Sequence, residues 1–532
     1  MRRWNGWGDE SIEHEVPAAA AKMLEEFVGP PCAQKSFPRE EMINKVPQSR
    51  VEQKSGLVST DAAARLDHAH GQSLPDWVGM RCGTLSRFPD AVAYPESEDR
   101  LEDVLAFADK NKMIVIPYGG GTSVVGHLDV PESDVPVLSL CLQRINQLID
   151  FEPENRLATF GAGADGPGIE AALKAKGYTL GHYPQSFDYS TLGGWVVTRS
   201  SGQQSRYYGR IEDLFAGGRV VAPAGTIKFP PFPASAAGPD LRQLFLGSEG
   251  RLGVMTRAAV RVRRVPETDD IYGVFFPVWE AGVSAVRELA ASDLPLSMIR
   301  LSTAEETMTN LVLAGKEKEI NLLKKYLRIR GLNEVSWSMM LMGITGPKKI
   351  AAPGKKAAGR IIKKHKGLSV GKAMGKAWKK SRFTAPYLRN SLWDMGYAVD
   401  TLETAVTWDR VSSTIEEVQA AIRQALFDKN EKLHVFTHLS HVYSSGSSIY
   451  TTYLFRIADT ARETLERWHA IKSAASRAIV EAGGTISHQH GVGVDHKQYL
   501  EAEKGGLGIE ILRNMSSHLD PGSRMNPGKL VD

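Results

Sequence analysis

The stretch that decides the fold reads STLGGWVVTRSSG at residues 190–202, and GSEGRLGVMT follows at residues 247–256. Glycines in such turns let the backbone bring bare N–H groups against a large anionic ligand, because no Cβ stands in the way. The run PYGGGTS at residues 117–123 adds a third turn, directly after the apolar strand candidate at residues 114–116. Three phosphate-compatible turns in one region predict a site for a pyrophosphate-bearing cofactor.

The glycine spacing does not match the two common nucleotide motifs. No G-x-G-x-x-G opens a helix, and no G-x-x-x-x-G-K-[ST] occurs around Gly119. The order of the three segments instead resembles the FAD-binding domain of the vanillyl-alcohol oxidase and p-cresol methylhydroxylase superfamily. The resemblance implies an α+β fold, in which a two-subdomain FAD-binding domain carries an α+β cap domain for the substrate. It also implies FAD contacts at Pro117, Gly119, Gly120, Gly121, Thr122, Ser123, Gln185, Ser190, Thr191, Gly193, Gly194, Ser200, Gly202, Glu249, Gly253 and Val254.

Length and composition indicate a multidomain enzyme of ordinary character. A chain of 532 residues is too long for one core, and 42% hydrophobic with 24% charged residues is typical of a soluble globular protein. The three cysteines include no C-x-x-C, which favours a reducing compartment and argues against disulfides or a cysteine zinc site. No signal-peptide pattern and no apolar run near 18 residues occur, so we expect a cytoplasmic protein.

The texture of the sequence divides the chain into four parts. Residues 1–77 form a polar, irregular N-terminal extension that we expect to pack near the active site. Residues 78–265 alternate short β-branched runs with helices, as expected for the FAD-binding domain. Residues 266–480 carry longer helices mixed with strands and are interpreted as the cap domain. Residues 481–532 end in DPGSRMNPGKL, a signature of the superfamily, and by resemblance return to the flavin domain.

Several separated motifs resemble the alkyldihydroxyacetone-phosphate synthase family more closely. They are RWNGWG at residues 3–8, LETAVTWDRV at residues 402–411 and THLSHVYSSGSSIYTTYLF at residues 437–455. The resemblance implies an FAD-dependent transferase of ether lipid synthesis. Such an enzyme exchanges the acyl group of an acyl dihydroxyacetone phosphate for a long-chain alkyl group through a covalent flavin adduct, without net redox.

The same resemblance supplies candidate substrate and catalytic residues. Arg300 and Arg389 match substrate arginines, and a bidentate guanidinium suits a phosphomonoester. Tyr450 matches the tyrosine that would remove a proton beside the ketone, with Tyr453 as the neighbouring alternative. His488 and His490 alternate in HQHGVG, so on a strand both would face the flavin. Surface ion pairs, core packing and satisfied structural histidines are the structural alternatives for these residues.

A redox enzyme of the same superfamily is the alternative function. Gln489 stands where the synthase family has the central histidine of HHHGVG, and an amide cannot shuttle a proton at neutral pH. A flavin dehydrogenase or oxidase acting on a 2-hydroxy acid or related alcohol therefore stays open. Such enzymes often carry an H-x-G-D-G-N-x-H metal segment, which residues 438–450 lack, so we expect no catalytic metal. A membrane-docking flavoprotein module without catalysis is a third, weaker alternative.

The first glycine loop predicts how the flavin is held. Some relatives tether it to a histidine inside this loop, but YGGGTS has none, and His127 lies six residues beyond Gly121. We therefore expect noncovalent FAD.

A strongly basic segment at residues 347–382 holds thirteen Lys or Arg and no Asp or Glu, so the rest of the chain is net negative. Interleaved apolar residues suit a cationic segment lying on an anionic membrane, which would give access to a lipid substrate. A solvated mobile loop is the alternative. Nucleic-acid binding is not expected, because aromatic residues that could stack on bases are nearly absent. The sequence carries no signal for the oligomeric state.

Overall fold

The computed structural model describes residues 1–32, 36–53, 56–333 and 336–532, and its strands form four sheets. The first sheet is parallel, with order β1-β3-β2. Ser97 caps the helix between β1 and β2, because its side chain accepts a hydrogen bond from Arg100 N. The elements are β1 (Ala91–Ala93), α5 (Glu98–Lys110), β2 (Ile114–Tyr118) and β3 (Val137–Cys141), preceded by α1 (Ala18–Val28), α2 (Arg39–Lys45), α3 (Ala62–Asp67) and α4 (Leu74–Cys82).

The second sheet of the expected FAD-binding domain, residues 78–265, is five-stranded and antiparallel. Its strand order is β4-β5-β9-β7-β8. Its strands are β4 (Leu148–Glu152), β5 (Leu157–Gly161), β7 (Phe215–Ala222), β8 (Gly225–Phe229) and β9 (Val254–Arg261), while β6 (Tyr178–Thr179) pairs with β10 (Arg263–Arg264). The helices are α6 (Gly166–Lys174), α7 (Leu192–Thr198), α8 (Ser205–Tyr208), α9 (Ile211–Leu214) and α10 (Arg242–Phe245). The glycine loops lie where these two sheets approach each other.

A seven-stranded antiparallel sheet forms the substrate-side half, with order β14-β11-β13-β12-β16-β17-β15. Its strands are β11 (Thr268–Phe276), β12 (Leu296–Ser302), β13 (Ser338–Gly346), β14 (Leu368–Gly371), β15 (Tyr397–Thr407), β16 (His434–Val442) and β17 (Gly446–Arg456). The helices are α11 (Trp279–Ala290), α12 (Ala304–Leu313), α13 (Glu317–Ile329), α14 (Lys348–Lys364), α15 (Ala373–Ser381), α16 (Leu388–Asp394), α17 (Val411–Gln424) and α18 (Ala461–Glu481), with 3₁₀ turns at Ala385–Tyr387 and Phe427–Lys429. A 3₁₀ turn at Lys497–Tyr499 then leads into α19 (Leu500–Leu519), whose Met515 and Leu519 pack against the core of the five-stranded sheet. No helix of the described residues is long and apolar enough to cross a membrane.

The N-terminal extension is not irregular, contrary to the sequence-based expectation. It contains four helices, and the last of them has a capping box between Ser73 and Asp76 and buries Trp77 completely. Polar composition concealed these helices because they are short and bury narrow apolar faces.

The first nine residues connect the flavin loops to the substrate-side half. Arg2 donates to the carbonyl of Gly120, and the backbone of Trp7 exchanges two hydrogen bonds of 3.0 Å with the amide of Asn390 on α16. Gly8 has φ +81°, and a Cβ there would lie 2.3 Å from the ring of Tyr387. Only glycine allows this close approach.

The C-terminal end lies against the three-stranded sheet β1-β3-β2. Val115 on β2 forms a parallel bridge with Met525, and Asn526 N donates to Val115 O at 2.9 Å. The amide of Asn526 donates in turn to the carbonyls of His127 and Glu249.

The basic segment is folded, so the alternative of a solvated mobile loop is wrong. Residues 347–382 form α14, β14 and α15, and α14 buries Ala351, Ala358 and Ile362. Several of the cations pair with acidic neighbours, as Lys364 does with Glu288. Most apolar residues of this segment therefore pack against the protein itself.

Candidate active site

A cavity of about 1000 Å³ runs between the glycine loops and the seven-stranded sheet. All the predicted FAD contacts line it except Gly202 and Val254. Val254 is fully buried in β9, and a Cβ on Gly202 would lie 2.7 Å from Tyr183 N, so both pack against protein. The structure therefore brings the three glycine segments to one wall, as their order in the sequence predicts.

The first two glycine loops pack directly on each other. A Cβ at Gly120 would lie 1.8 Å from the carbonyl oxygen of Tyr189, and one at Gly119 would lie 2.4 Å from Oγ1 of Thr191. Thr191 is also the N-cap of α7, where its hydroxyl accepts from Gly194 N. Any side chain on the first loop would push it off the second.

These residues fit an FAD molecule. Glu249 is turned away from the glycine wall, because its carboxylate accepts from Val492 N at 2.5 Å and Gly493 N at 2.9 Å and lies 3.0 Å from Nε2 of His127. The wall is therefore bare backbone rather than anionic side chain. Nearby, Asn526 lines the same cavity, and its Oδ1 is buried with no hydrogen-bond partner among the residues that the structure describes. An unpaired buried amide oxygen at this position fits a bound ligand that donates to it.

Tyr450 stands on the opposite wall, on β17. Its hydroxyl donates to Oγ1 of Thr401 at 3.2 Å, its ring stacks on His438 at 4.9 Å, and the His490 ring meets it edge-on at 5.8 Å. Burial raises the pKa of Tyr450 well above its ordinary value, so the phenol keeps its proton at neutral pH. Tyr453 lies on the other face of the strand, in the core, where it donates to Asp400.

Arg300 on β12 lies in the cavity wall but already has an anionic partner. Its Nη2 is 2.6 Å from Oε1 of Glu306, whose other oxygen is 3.0 Å from Nδ1 of His438. Despite burial, the charges of His438 and Arg300 lower the pKa of Glu306 to about 2. The positive charge of Arg300 is thus largely compensated within the protein.

Arg389 on α16 has no such partner. Its Nη1 donates to Gln72 O at 2.7 Å and its guanidinium lies 4.2 Å from the ring centroid of Trp77, but Nε and Nη2 are buried and have no hydrogen-bond partner among the described residues. Burial lowers the pKa of Arg389 to about 10, so it stays charged at neutral pH. Two donor nitrogens without a protein partner on one cation are suited to an incoming anion.

The HQHGVG segment is a turn, so the expected strand with His488 and His490 on one face is wrong. One oxygen of Glu403 accepts from both Gln489 N and His490 N, at 2.6 and 2.7 Å. Successive N–H groups of a strand point to opposite sides and cannot share an acceptor in this way. Gln489 and His490 consequently line the cavity, whereas His488 does not.

His488 is held on the far side of this turn. Its Nε2 lies 2.6 Å from both Nη1 of Arg210 and the hydroxyl of Tyr443, and the arginine can only donate, so Nε2 accepts. Burial lowers the pKa of His488 well below its ordinary value. Arg210 and Tyr443 line a second cavity of about 1080 Å³, which lies on the other side of His441.

The end of the cavity away from the glycine loops is apolar. Helices α1, α13, α15 and α16 and the central strands contribute to it. Its lining includes Met23, Leu24, Leu311, Ile320, Leu323, Met339, Val370, Met374, Trp378, Leu392, Phe436 and Leu454. One continuous space therefore joins a cofactor wall, a polar centre and an apolar chamber.

Family comparisons agree with this arrangement. The model "FAD binding domain" matches residues 89–229, and "FAD linked oxidases, C-terminal domain" matches residues 265–530. A solved p-cresol methylhydroxylase superposes with a TM-score of 0.68 at 13% identity over 94% of this chain and 99% of that one, which shows the shared fold. The chain is an FAD-dependent flavoprotein of this superfamily, and the predicted cofactor and fold class are confirmed.

Closer relatives define the family. The curated alkyldihydroxyacetonephosphate synthase of Caenorhabditis elegans is 31% identical and covers 89% of this chain and 81% of the relative. That of Dictyostelium discoideum is 28% identical over 99% of this chain and 93% of the relative. A solved alkyldihydroxyacetonephosphate synthase superposes with a TM-score of 0.84 at 27% identity, covering 99% of this chain and 98% of that one. This chain belongs to the alkyldihydroxyacetonephosphate synthase family.

Several residues of the site were not predicted from the sequence. Glu306, Gln72 and Asn526 line the cavity, and Glu403 lies behind the Gln489–His490 turn. Glu306 and Glu403 are acidic side chains in ordinary amphipathic patterns, and Gln72 and Asn526 are far apart in the chain. Only the motif around Glu403 offered a signal, because LETAVTWDRV was singled out without a role for its carboxylate. Among the described residues, no group of three or more His, Cys, Asp or Glu side chains is arranged to hold a metal ion.

Proposed function

We propose that this enzyme exchanges the acyl group of an acyl dihydroxyacetone phosphate for a long-chain alkyl group. The observation that carries the proposal is the single cavity in which the FAD wall, Tyr450, Arg389 and an apolar chamber meet. A substrate with a phosphate at one end and an aliphatic chain at the other needs these surfaces in this order. In the exchange, the ester oxygen leaves with the fatty acid and the alcohol oxygen forms the new ether bond.

Arg389 receives the phosphate in this proposal. Its Nε and Nη2, which have no partner within the described part of the chain, supply charge-assisted hydrogen bonds, whereas the charge of Arg300 is already met by Glu306. Arg300 instead holds His438 and Glu306 in place behind the Tyr450 ring. The aliphatic chains occupy the apolar chamber, where burial of each methylene contributes about 0.8 kcal/mol.

Tyr450 and His490 handle the proton beside the ketone. Because the pKa of Tyr450 is raised, its phenol enters the reaction as a hydrogen-bond donor to the ketone oxygen, and it becomes a base only after passing its proton on. The His490 ring, edge-on to the tyrosine and in the cavity wall, accepts that proton in this proposal, because the nearer His438 is already bonded to Glu306. Bound FAD supplies an electron-accepting ring at which the substrate carbon reacts.

The test supplies substrate without any electron acceptor. Purified FAD-loaded enzyme is mixed anaerobically with an acyl dihydroxyacetone phosphate and a long-chain alcohol. We expect ether product and free fatty acid in equal amounts, with the flavin oxidised after many turnovers. Stoichiometric flavin bleaching by a 2-hydroxy acid, with no fatty acid released from the acyl substrate, would assign the enzyme to the dehydrogenase class instead.

We also propose that FAD binds without a covalent bond. His127 is the histidine that follows the first glycine loop most closely in the sequence. Both of its ring nitrogens face protein atoms, Oγ of Ser123 at 2.8 Å and Oε1 of Glu249 at 3.0 Å. Acid precipitation should therefore release the yellow flavin into the supernatant. Flavin that stays with the pellet would contradict this expectation.

Contact with an anionic membrane is proposed at α13 rather than through residues 347–382. Ile320 and Leu323 of this helix line the apolar chamber, while Leu322 and Ile329 on its opposite side are 70% and 75% exposed. Residues 316–330 carry six Lys or Arg and two Glu. An exposed apolar stripe with flanking cations suits an anionic lipid surface and places it next to the chamber.

Cosedimentation with anionic liposomes tests this contact. Leu322→Ser combined with Ile329→Ser should lower binding at least tenfold, because each large apolar side chain contributes about 1.5–3 kcal/mol when buried. Leu507→Ser is the matched control, since Leu507 is also 70% exposed but lies on α19, away from the chamber. Equal binding by all variants would remove α13 from the interface.

A further inference from the structure

Glu403 is a buried carboxylate that the proposed reaction does not use directly. It lies on β15 directly opposite Tyr450 in the antiparallel pairing with β17, so both side chains are on the same face of the sheet. Only 3% of the residue is exposed. Glu403 does not line the active-site cavity itself, and its carboxyl group lies behind Gln489 and His490, which do.

The contacts of this carboxylate are directed at one turn. Oε1 accepts from Gln489 N at 2.6 Å and His490 N at 2.7 Å, and it lies 3.6 Å from Nδ1 of His490. The other oxygen, Oε2, is buried and has no hydrogen-bond partner among the described residues. Within that part of the chain, no Lys or Arg lies at ion-pair distance from it.

Such an arrangement is costly for a residue with a purely structural task. A buried carboxylate is normally paired with a cation, as Glu431 is with Arg456 and Arg467. Glu403 is instead compensated by two backbone N–H groups and a neighbouring imidazole. Its hydrogen bonds fix the backbone geometry that brings Gln489 and His490, but not His488, to the cavity.

We propose that Glu403 is a positioning residue, which holds the Gln489–His490 turn so that the His490 ring stands against Tyr450. The inference rests on the proposed function, because it assigns the His490–Tyr450 pair a role in proton transfer. Glu403 itself touches neither ring at hydrogen-bond distance. Glu403 affects turnover by holding the turn in place, because a displaced His490 ring would lengthen the path of the proton.

Two substitutions separate geometry from charge. Glu403→Gln keeps an oxygen in the place of Oε1, so both backbone hydrogen bonds are retained while the charge is lost. Glu403→Ala removes the acceptor. Glu431→Gln is the matched control, because the Glu431 carboxylate is also buried in this half but pairs with Arg456 and Arg467 instead of the Gln489–His490 turn.

The first readout is amide hydrogen exchange at Gln489 and His490 in the FAD-loaded enzyme without substrate. Glu403→Ala should speed exchange about tenfold or more, because hydrogen bonds to charged groups contribute about 1.5–3 kcal/mol. Glu403→Gln should stay within about threefold of wild type, and the control should not change. If Glu403→Ala yields no folded protein, Glu403→Asp replaces it, since its shorter side chain withdraws the acceptor from the turn.

The second readout is steady-state turnover. We expect kcat to fall about a hundredfold in Glu403→Ala and less than tenfold in Glu403→Gln, with KM nearly unchanged in both. Unchanged amide exchange in Glu403→Ala would overturn the proposal, as would equal loss of kcat in both variants while exchange in Glu403→Gln stays normal. The exchange measurement needs no substrate, so failure of the acyl-for-alkyl reaction would leave it interpretable and is distinguishable from failure of the positioning role.

Discussion

Tyr450→Phe should lower the rate of acyl-for-alkyl exchange by about a hundred- to a thousandfold while FAD stays bound. The phenol is the group of Tyr450 that can transfer a proton, and proton transfer by a positioned side chain typically contributes 10²–10⁴-fold. The ring keeps its stacking on His438 in the variant, so packing changes little. Fatty acid release in the presence of saturating alcohol, measured by single-turnover mixing, checks the effect.

Tyr453→Phe is the matched control for this prediction. It removes the same hydroxyl from the same strand, but Tyr453 does not line the cavity, and its hydroxyl donates to the buried carboxylate of Asp400. We expect a loss of stability with kcat nearly preserved in the folded fraction. A full rate in Tyr450→Phe would show that the phenol is not part of the proton path.

Arg389→Met should weaken a phosphorylated substrate by about a hundredfold or more. Nε and Nη2 would each donate to the phosphate, and charge-assisted hydrogen bonds contribute about 1.5–3 kcal/mol. Methionine retains much of the volume beside Trp77, which limits collapse of the site. The change in KM or in the dissociation constant of a nonreactive substrate analogue is the measurement, together with the retained FAD spectrum.

Arg300→Met provides the comparison, because it removes the same charge from the same cavity. The Glu306 carboxylate loses a partner there, so we expect lower kcat and stability but less than a tenfold change in affinity. A larger loss of affinity in Arg300→Met than in Arg389→Met would exchange the roles of the two arginines.

The cofactor wall could be predicted from the sequence because it depends on backbone geometry. Positions 119 and 120 require glycine, because neighbouring atoms leave no space for a Cβ. The residue type alone reveals such a requirement. Resemblance to a known family then supplied the ligand. Gly202 and Val254 lie within the same motifs but pack against protein, since a motif does not say which of its members faces inward.

The catalytic centre was less predictable because its contacts join distant parts of the chain. Glu306 and His438 are far apart in sequence, and so are Glu403 and His490. No local sequence pattern predicts that either pair is in contact. The alternation of His488 and His490 suggested a strand, but a tertiary contact with Glu403 imposed a turn. The alternative of a solvated loop for the basic segment was wrong for a related reason. Its apolar residues pack against distant parts of the chain.

The contacts of Asn526 with Val115 and Glu249 have a consequence for the order of folding. Its side chain lines the cofactor cavity and, together with its backbone, ties the third glycine loop to the three-stranded sheet β1-β3-β2. Because the substrate-side half stands between the glycine segments and Asn526 in the chain, that half is synthesised before the flavin wall can be completed. We expect a fragment that stops before residue 481 to bind FAD weakly, although it contains all three glycine segments.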